Sequence, residues 1–224
     1  YNARKEYDQD LTLGEYLSML EKVWRETYRV LVPGGRVCIN IANLGRKPYL
    51  PLHSFIIEQM LSIGFLMRGE IIWDKAASAS PSTAWGSWLS ASAPYVIAPV
   101  EVIVVLYKNR WKKLGNNGRT DITKGEFVEW TNAMWNFMGE SRKRIGHPAP
   151  FPVELPRRCI KLFTFVGDTV LDPFLGSGST LVACVLTDRK GIGVEIDKNY
   201  CDVAKQRLVN EANIRQFKLI REAR

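Results

Sequence analysis

Two stretches combine residue types that could hold a nucleoside. They are Asp172-Pro173-Phe174-Leu175-Gly176-Ser177-Gly178-Ser179-Thr180 and Gly191-Ile192-Gly193-Val194-Glu195-Ile196. In the first, a short apolar run ends in Asp-Pro, a glycine-rich turn follows, and Leu181, Val182, Ala183 and Val185 recur at helical spacing. This reads as strand, tight turn, helix. Pro173 cannot continue a ladder, while Gly176 and Gly178 admit positive φ and close backbone approach. Such a turn lies at the carboxyl end of a parallel strand, where open α/β sheets bind ligands. The second stretch reads as a strand ending in an acid. An acid at a second strand tip, roughly 20 residues past the glycines, is placed to hold the two hydroxyls of a ribose. No Lys follows Gly178 as a phosphate loop requires, and the sixth position of a dinucleotide fingerprint is Leu181, which is not small. A cofactor with a ribose and no pyrophosphate fits, and S-adenosylmethionine has that chemistry.

The elements that must position these residues follow in chain order. Tyr1 to Asp10 reads as a polar loop. Leu11 to Leu31 is an amphipathic helix with Leu13, Leu17, Leu20, Trp24 and Tyr28 in one stripe. Thr12 is its expected N-cap, with Glu15 completing a capping box. Pro33-Gly34-Gly35 ends it. Strands are expected at Arg36–Ala42, Met67–Asp74, Val100–Tyr107, Thr169–Asp172 and Gly191–Ile196, with a helix over Leu52–Ile63 closed by Gly64. The alternation predicts an α/β fold with a parallel sheet and crossover helices. Val100–Tyr107 follows a strand without an intervening helix, so it is open to an antiparallel place. Lys75 to Pro99, about 25 residues rich in Ala, Ser and Pro, exceeds an ordinary connection. A helix over Leu155–Phe163 and a last helix presenting Tyr200, Val203, Ala204 and Leu208 complete the pattern.

The chain has 224 residues, a net charge of +8 and a pI near 9.4. That balance favours an anionic partner, with nucleic acid first. The positive charge gathers in Lys108, Arg110, Lys112, Lys113 and Arg119, then Arg142, Lys143 and Arg144, with Trp111, Trp130 and Trp135 interleaved. Cys38, Cys159, Cys184 and Cys201 show no metal-ligand spacing and read as reduced core thiols of a cytoplasmic protein. No metal is expected. Neither a signal peptide nor a long apolar run is present, so no membrane role is expected.

DPFLGSGST followed by GIGVEID closely resembles the cofactor motifs of amino-methylating DNA methyltransferases. His147-Pro148-Ala149-Pro150-Phe151-Pro152 resembles the segment preceding that motif in the β-ordered group, whose catalytic half comes first and cofactor half last. The resemblance implies a Rossmann-like S-adenosylmethionine-dependent methyltransferase fold in circularly permuted order. Residues 1–107 would form the catalytic half, 108–146 a target-recognition region and 147–224 the cofactor half. Asp172, Pro173 and Phe174 would wall the cofactor site. Gly176, Ser177, Gly178 and Ser179 would admit the methionine portion. Thr180 would cap the helix or touch the methionine carboxylate. Glu195 would bind ribose, Ile196 would lie on adenine, and His147 and Phe151 would help close the site. The basic residues of 108–146 would face double-stranded DNA, and Asn40 and Asn43 would lie beside the reaction.

In that family a tetrapeptide of Ser or Asp, Pro, Pro, then Tyr or Phe holds the flipped base. No Pro-Pro occurs in this chain. Tyr1-Asn2 matches the end of the motif, which makes Tyr1 the expected stacking aromatic. The rest of the motif and two of about seven strands would then come from an upstream segment, leaving this sheet incomplete. The Tyr1 context resembles Ser-Pro-Pro-Tyr members, which favours cytosine N4; adenine N6 stays open. A catalytically incomplete DNA-binding relative and a nicotinamide-dependent oxidoreductase are the rival readings. Homodimerisation is also open.

Overall fold

The computed structural model describes residues 11–44, 48–75, 88–94, 96, 99–113, 118–140 and 151–213. Tyr1, Arg142, Lys143, Arg144 and His147 lie outside the described residues. The chain divides into two compact units, one of Tyr1–Asn116 and Val128–Gly139, the other of Asn117–Phe127 and Glu140–Arg224.

The first unit begins with α1 (Leu13–Val30). Its capping box forms as expected: Thr12 N donates to Glu15 Oε2 at 2.8 Å and Glu15 N donates to Thr12 Oγ1 at 3.2 Å. Leu20 and Trp24 are buried, while Glu21–Arg25 and Glu26–Arg29 pair on the solvent side. The chain then turns through Gly34, where φ is +78° and an added Cβ would meet the Lys112 carbonyl oxygen at 2.6 Å. Next come β1 (Arg36–Ile41), α2 (Leu52–Ile63), β2 (Phe65–Asp74) and β3 (Val100–Lys108). Gly64 closes α2 in the left-handed conformation, as expected of a glycine at that position.

The sheet order is β1-β3-β2 with β3 antiparallel to both neighbours, so β1 and β2 run the same way. Val102, Val104 and Leu106 of β3 pack with Leu20, Trp24, Ile39, Ile56, Met60 and Phe65. Ile103 and Val105, on the opposite face of the strand, are buried as well. A central strand covered on both faces needs such a continuous apolar run.

Two elements were not expected. Helix α3 (Lys124–Trp130) leads to the short strand β4 (Met134–Asn136), which pairs parallel with β2. Trp130 and Trp135 are therefore core residues, and the expectation that they interleave with charges on a DNA-facing loop is corrected. They are only 2% and 1% exposed. The Trp135 indole is satisfied there, its Nε1 donating to the Trp130 carbonyl at 3.0 Å, and the likewise buried Trp73 donates from Nε1 to the Phe137 carbonyl at 2.9 Å.

The second unit holds α4 (Glu154–Phe163), β5 (Thr169–Asp172), α5 (Ser179–Leu186), β6 (Lys190–Gly193) and α6 (Lys198–Ala212). Strands β5 and β6 are parallel with α5 as the crossover, and Ile160, Ala183 and Cys184 form the core beneath. Residues 118–126 are strapped to this unit. Asp121 pairs with the fully buried Arg189 at 2.8 Å, and Glu126 pairs with Lys161 at 2.7 Å. The expected parallel pairing with a crossover helix holds for β5 and β6, and in the first unit β3 takes the antiparallel place left open for Val100–Tyr107. Among the described residues no helix is long and apolar enough to cross a membrane.

Candidate functional site

Strand β5 ends at Asp172 because Pro173 follows it. The chain then turns through Gly176 (φ +53°) and Gly178 (φ +84°), the latter at the N-cap of α5. An L side chain at Gly178 would also crowd α6, since its Cβ would lie 2.8 Å from that of Ala204. The turn is tied on its other side to the exit of β6: Leu175 N donates to the Val194 carbonyl and Val194 N to that of Asp172, both at 2.9 Å.

Strand β6 stops at Gly193, short of the expected Ile196, so Glu195 stands on the loop beyond the strand tip. Its Oε2 accepts the Gly176 N–H at 2.7 Å and its Oε1 accepts the Asp197 N–H at 2.9 Å. A carboxylate has about four lone-pair sites, so acceptor capacity remains for two hydroxyl donors. Ile196, at 87% exposed, follows this acid in sequence, and Phe174, at 47%, lies on the turn whose Gly176 N–H the acid accepts.

Asp172 is half-buried. Its Oδ2 accepts the Thr180 hydroxyl at 2.6 Å and its Oδ1 accepts the Phe174 N–H at 3.0 Å. Burial raises its pKa, and the negative charge of Glu195 adds to the rise; the Thr180 and Phe174 bonds oppose it. Thr180 therefore anchors the strand end and does not cap α5, which has no side-chain cap. Ser179 Oγ donates to the Phe151 carbonyl at 2.8 Å, which joins the segment entering α4 to the turn.

A further residue of the site, Arg207, belongs to no motif in the sequence. This arginine is 6% exposed, and its Nη1 donates to the Ser177 carbonyl at 3.1 Å, the Ser177 hydroxyl at 3.2 Å and the Ser179 hydroxyl at 2.9 Å. Its signal was the helical spacing from Tyr200 and Ala204, which share its buried face.

In the first unit, Asn40 Nδ2 donates to Glu101 at 2.5 Å, and Lys75 Nζ donates to the other Glu101 oxygen at 2.6 Å. These groups gather where β1 and β2 end. Asn43 Oδ1 accepts the His53 N–H at 3.2 Å, in the first turn of α2.

Lys108 lies at the end of β3, and its ammonium bonds the carbonyls of Tyr28 and Leu31 at 2.5 and 2.9 Å. It caps α1. Arg110 and Lys112 are exposed and Lys113 is half-buried. Between them the Trp111 carbonyl accepts from Arg36 and Arg68, and its ring lies 4.1 Å from the Arg68 guanidinium carbon. This basic and aromatic group sits where β1 begins and β3 ends, the opposite end of the sheet from Asn40 and Glu101. Arg119 is exposed and lies 3.8 Å from Asp188.

A family model described as DNA methylase, covering N6 and N4 methyltransferases, matches residues 1–206. The Type II methyltransferase M.MjaI of Methanocaldococcus jannaschii is 38% identical over 204 residues, 84% of this chain and 66% of that protein. M.MjaVI of the same organism, also a Type II methyltransferase, is 45% identical over 149 residues, 65% of this chain and 76% of that protein. The chain thus spans about two thirds of the length of the first and three quarters of the second. TTHA0409 of Thermus thermophilus, a proposed DNA modification methylase solved with S-adenosyl-L-methionine, superposes with a TM-score of 0.73 at 30% identity. That match covers 91% of this chain and 83% of the other. The Asp-Pro-Phe turn, the acid beyond β6 and these likenesses agree: the chain belongs to the DNA methylase family of N6 and N4 methyltransferases.

Proposed function

We propose that this protein binds S-adenosylmethionine in its second unit and methylates an exocyclic amine of DNA, cytosine N4 ahead of adenine N6. The observation that carries the reading is Glu195, a carboxylate fixed by two backbone N–H bonds beyond a parallel strand tip. The residues present fit the cofactor. Glu195 retains acceptor capacity for ribose hydroxyls, Phe174 and Ile196 offer exposed apolar surface for adenine, and the first-turn N–H groups of α5 favour a carboxylate. Asp172, Pro173, Gly176, Ser177, Gly178, Ser179 and Thr180 form the turn that would take the methionine portion.

When bound, the cofactor supplies an electrophilic methyl group on a sulfonium. The task of the chain is orientation. An in-line displacement needs donor and amine held at near-attack distance, and an acceptor for the proton lost as the nitrogen gains charge. Asp172 holds Thr180 and the backbone of Phe174 through its two oxygens, so this wall of the site is formed without a ligand. A base in duplex DNA must leave the stack before its amine can be reached. Tyr1 is proposed as the aromatic on which it stacks, a contact worth about 1–3 kcal/mol. Arg110, Lys112, Lys113, Arg119, Arg142, Lys143 and Arg144 are proposed phosphate contacts, with His147 and Phe151 closing the cofactor end.

Methyl transfer from radiolabelled S-adenosylmethionine to unmodified double-stranded DNA, followed by nucleoside analysis, tests the reading. N4-methylcytosine in the digest is the expected product and N6-methyladenine would shift the base assignment. Cofactor and DNA binding without transfer would favour the DNA-binding relative.

A further inference from the structure

We propose that Arg207 is a positioning residue for the amino-acid end of the cofactor, acting through the Ser177–Ser179 turn. The proposal rests on the S-adenosylmethionine reading above. Among the described residues of the second unit Arg207 is one of three buried charged side chains, and all of its N–H bearing nitrogens are engaged. Nε and Nη2 fork onto the two oxygens of Glu211 at 2.7 and 3.0 Å, one helical turn further along α6. Nη1 then meets three acceptors of the turn, the Ser177 carbonyl and the hydroxyls of Ser177 and Ser179. A buried guanidinium is tolerated only when paired and hydrogen-bonded. Its rigid fork also makes it a template: three acceptors must converge on one nitrogen.

Two consequences follow for a ligand at the turn. First, three electronegative atoms are drawn inward onto α6, where they cannot repel a carboxylate. Second, the bidentate pairing with Glu211 offsets the guanidinium charge, so Arg207 acts on a ligand through the place it gives the turn at the N-terminus of α5 and not as a free charge. Both act on the amino-acid portion of the cofactor, near the serines. Neither acts on the adenosine, which is assigned to Glu195 and Ile196. Ala204, about one turn before Arg207, packs so close to Gly178 that a Cβ added there would lie 2.8 Å from the Ala204 Cβ, so α6 and the turn are in direct contact.

The test separates the two ends of the ligand. S-adenosylmethionine and 5′-methylthioadenosine, which keeps the adenosine and sulfur but lacks the amino acid, are titrated calorimetrically into the full chain. Arg207→Gln is expected to weaken S-adenosylmethionine at least tenfold and to leave methylthioadenosine within twofold. Glu211→Ala, which frees the fork without touching the turn, is expected to weaken S-adenosylmethionine about threefold with the same selectivity, and it carries the test if Arg207→Gln fails to fold. Glu195→Gln should weaken both ligands alike. Equal losses for both ligands in the Arg207 and Glu211 variants, or no loss in either, overturn the proposal while leaving the cofactor reading intact. A wild-type chain that binds neither ligand overturns both.

Discussion

Glu195 accepts the Gly176 N–H at 2.7 Å, so the acid beyond β6 and the glycine turn beyond β5 form one hydrogen-bonded unit. The bond orients the carboxylate and pins the turn at the same time. Replacing Glu195 by Ala leaves the N–H groups of Gly176 and Asp197 without their acceptor and removes the proposed ribose contact. Hydrogen bonds to a charged group contribute about 1.5–3 kcal/mol each. S-adenosylmethionine affinity is expected to fall about 100-fold, near 2.7 kcal/mol, in a calorimetric titration. An unchanged affinity would remove Glu195 from the site.

Gly178 tests the backbone of the turn. Its φ of +84° is strained for any L side chain, and the Cβ of an alanine would lie 2.8 Å from Ala204 Cβ. Gly178→Ala is expected to destabilise the protein by about 2–4 kcal/mol in urea denaturation. Adding Ala204→Gly should recover only the part due to the contact. Full recovery would mean that the φ value carries no cost.

Two carboxylates give opposite pH signatures. Hydrogen bonds from Lys161 and Thr123 outweigh the cost of burial at Glu126 and lower its pKa from 4.5 to about 2. Its stabilisation is therefore complete above the ordinary carboxylate range and is lost as pH falls toward 2. Asp172 is raised, chiefly by burial, so the folded state binds its proton more tightly and loses stability as pH climbs through the raised value. Denaturation from pH 2 to 7 is expected to show Glu126→Gln approaching wild type at the acid end. Asp172→Asn should close on wild type, or exceed it, as pH rises.

Lys108 and its basic neighbours differ in what they hold. Lys108→Met removes the group that bonds the carbonyls of Tyr28 and Leu31, and about 1 kcal/mol of stability is expected to go with it. Arg110→Ala and Lys112→Ala should leave stability unchanged. If they contact phosphates, each should reduce the slope of log affinity against log salt by about 1. DNA binding measured across a salt series separates the cap from the phosphate contacts. A normal slope in both exposed variants would remove Arg110 and Lys112 from the interface.

What was legible in the sequence was what local chemistry determines. The Thr12–Glu15 box, the Leu20–Trp24 stripe and the Gly64 terminus define α1 and α2 without help from distant residues. Asp172-Pro173 and the two glycines likewise announce where β5 must stop. The burial of Trp130 and Trp135 is not legible because a seven-residue helix and a three-residue strand are too short to show a period; the pairing of β4 with distant β2 places Trp135, whose indole bonds the Trp130 carbonyl. The place of Arg207 is not legible because arginine is ordinarily a surface residue, and only the convergence of Ser177, Ser179 and Glu211 explains its burial. Lys108 counted as free charge for the same reason, since the carbonyls it meets lie about 80 positions earlier.

The central claim is that the Glu195–Gly176 unit grips the adenosyl portion of S-adenosylmethionine. A crystal structure of the protein soaked with that compound tests it most directly. The account predicts both ribose hydroxyls within hydrogen-bonding distance of the Glu195 carboxylate and the adenine against Ile196. Density for the compound elsewhere, with Glu195 still bound only to its two backbone N–H groups, would contradict it.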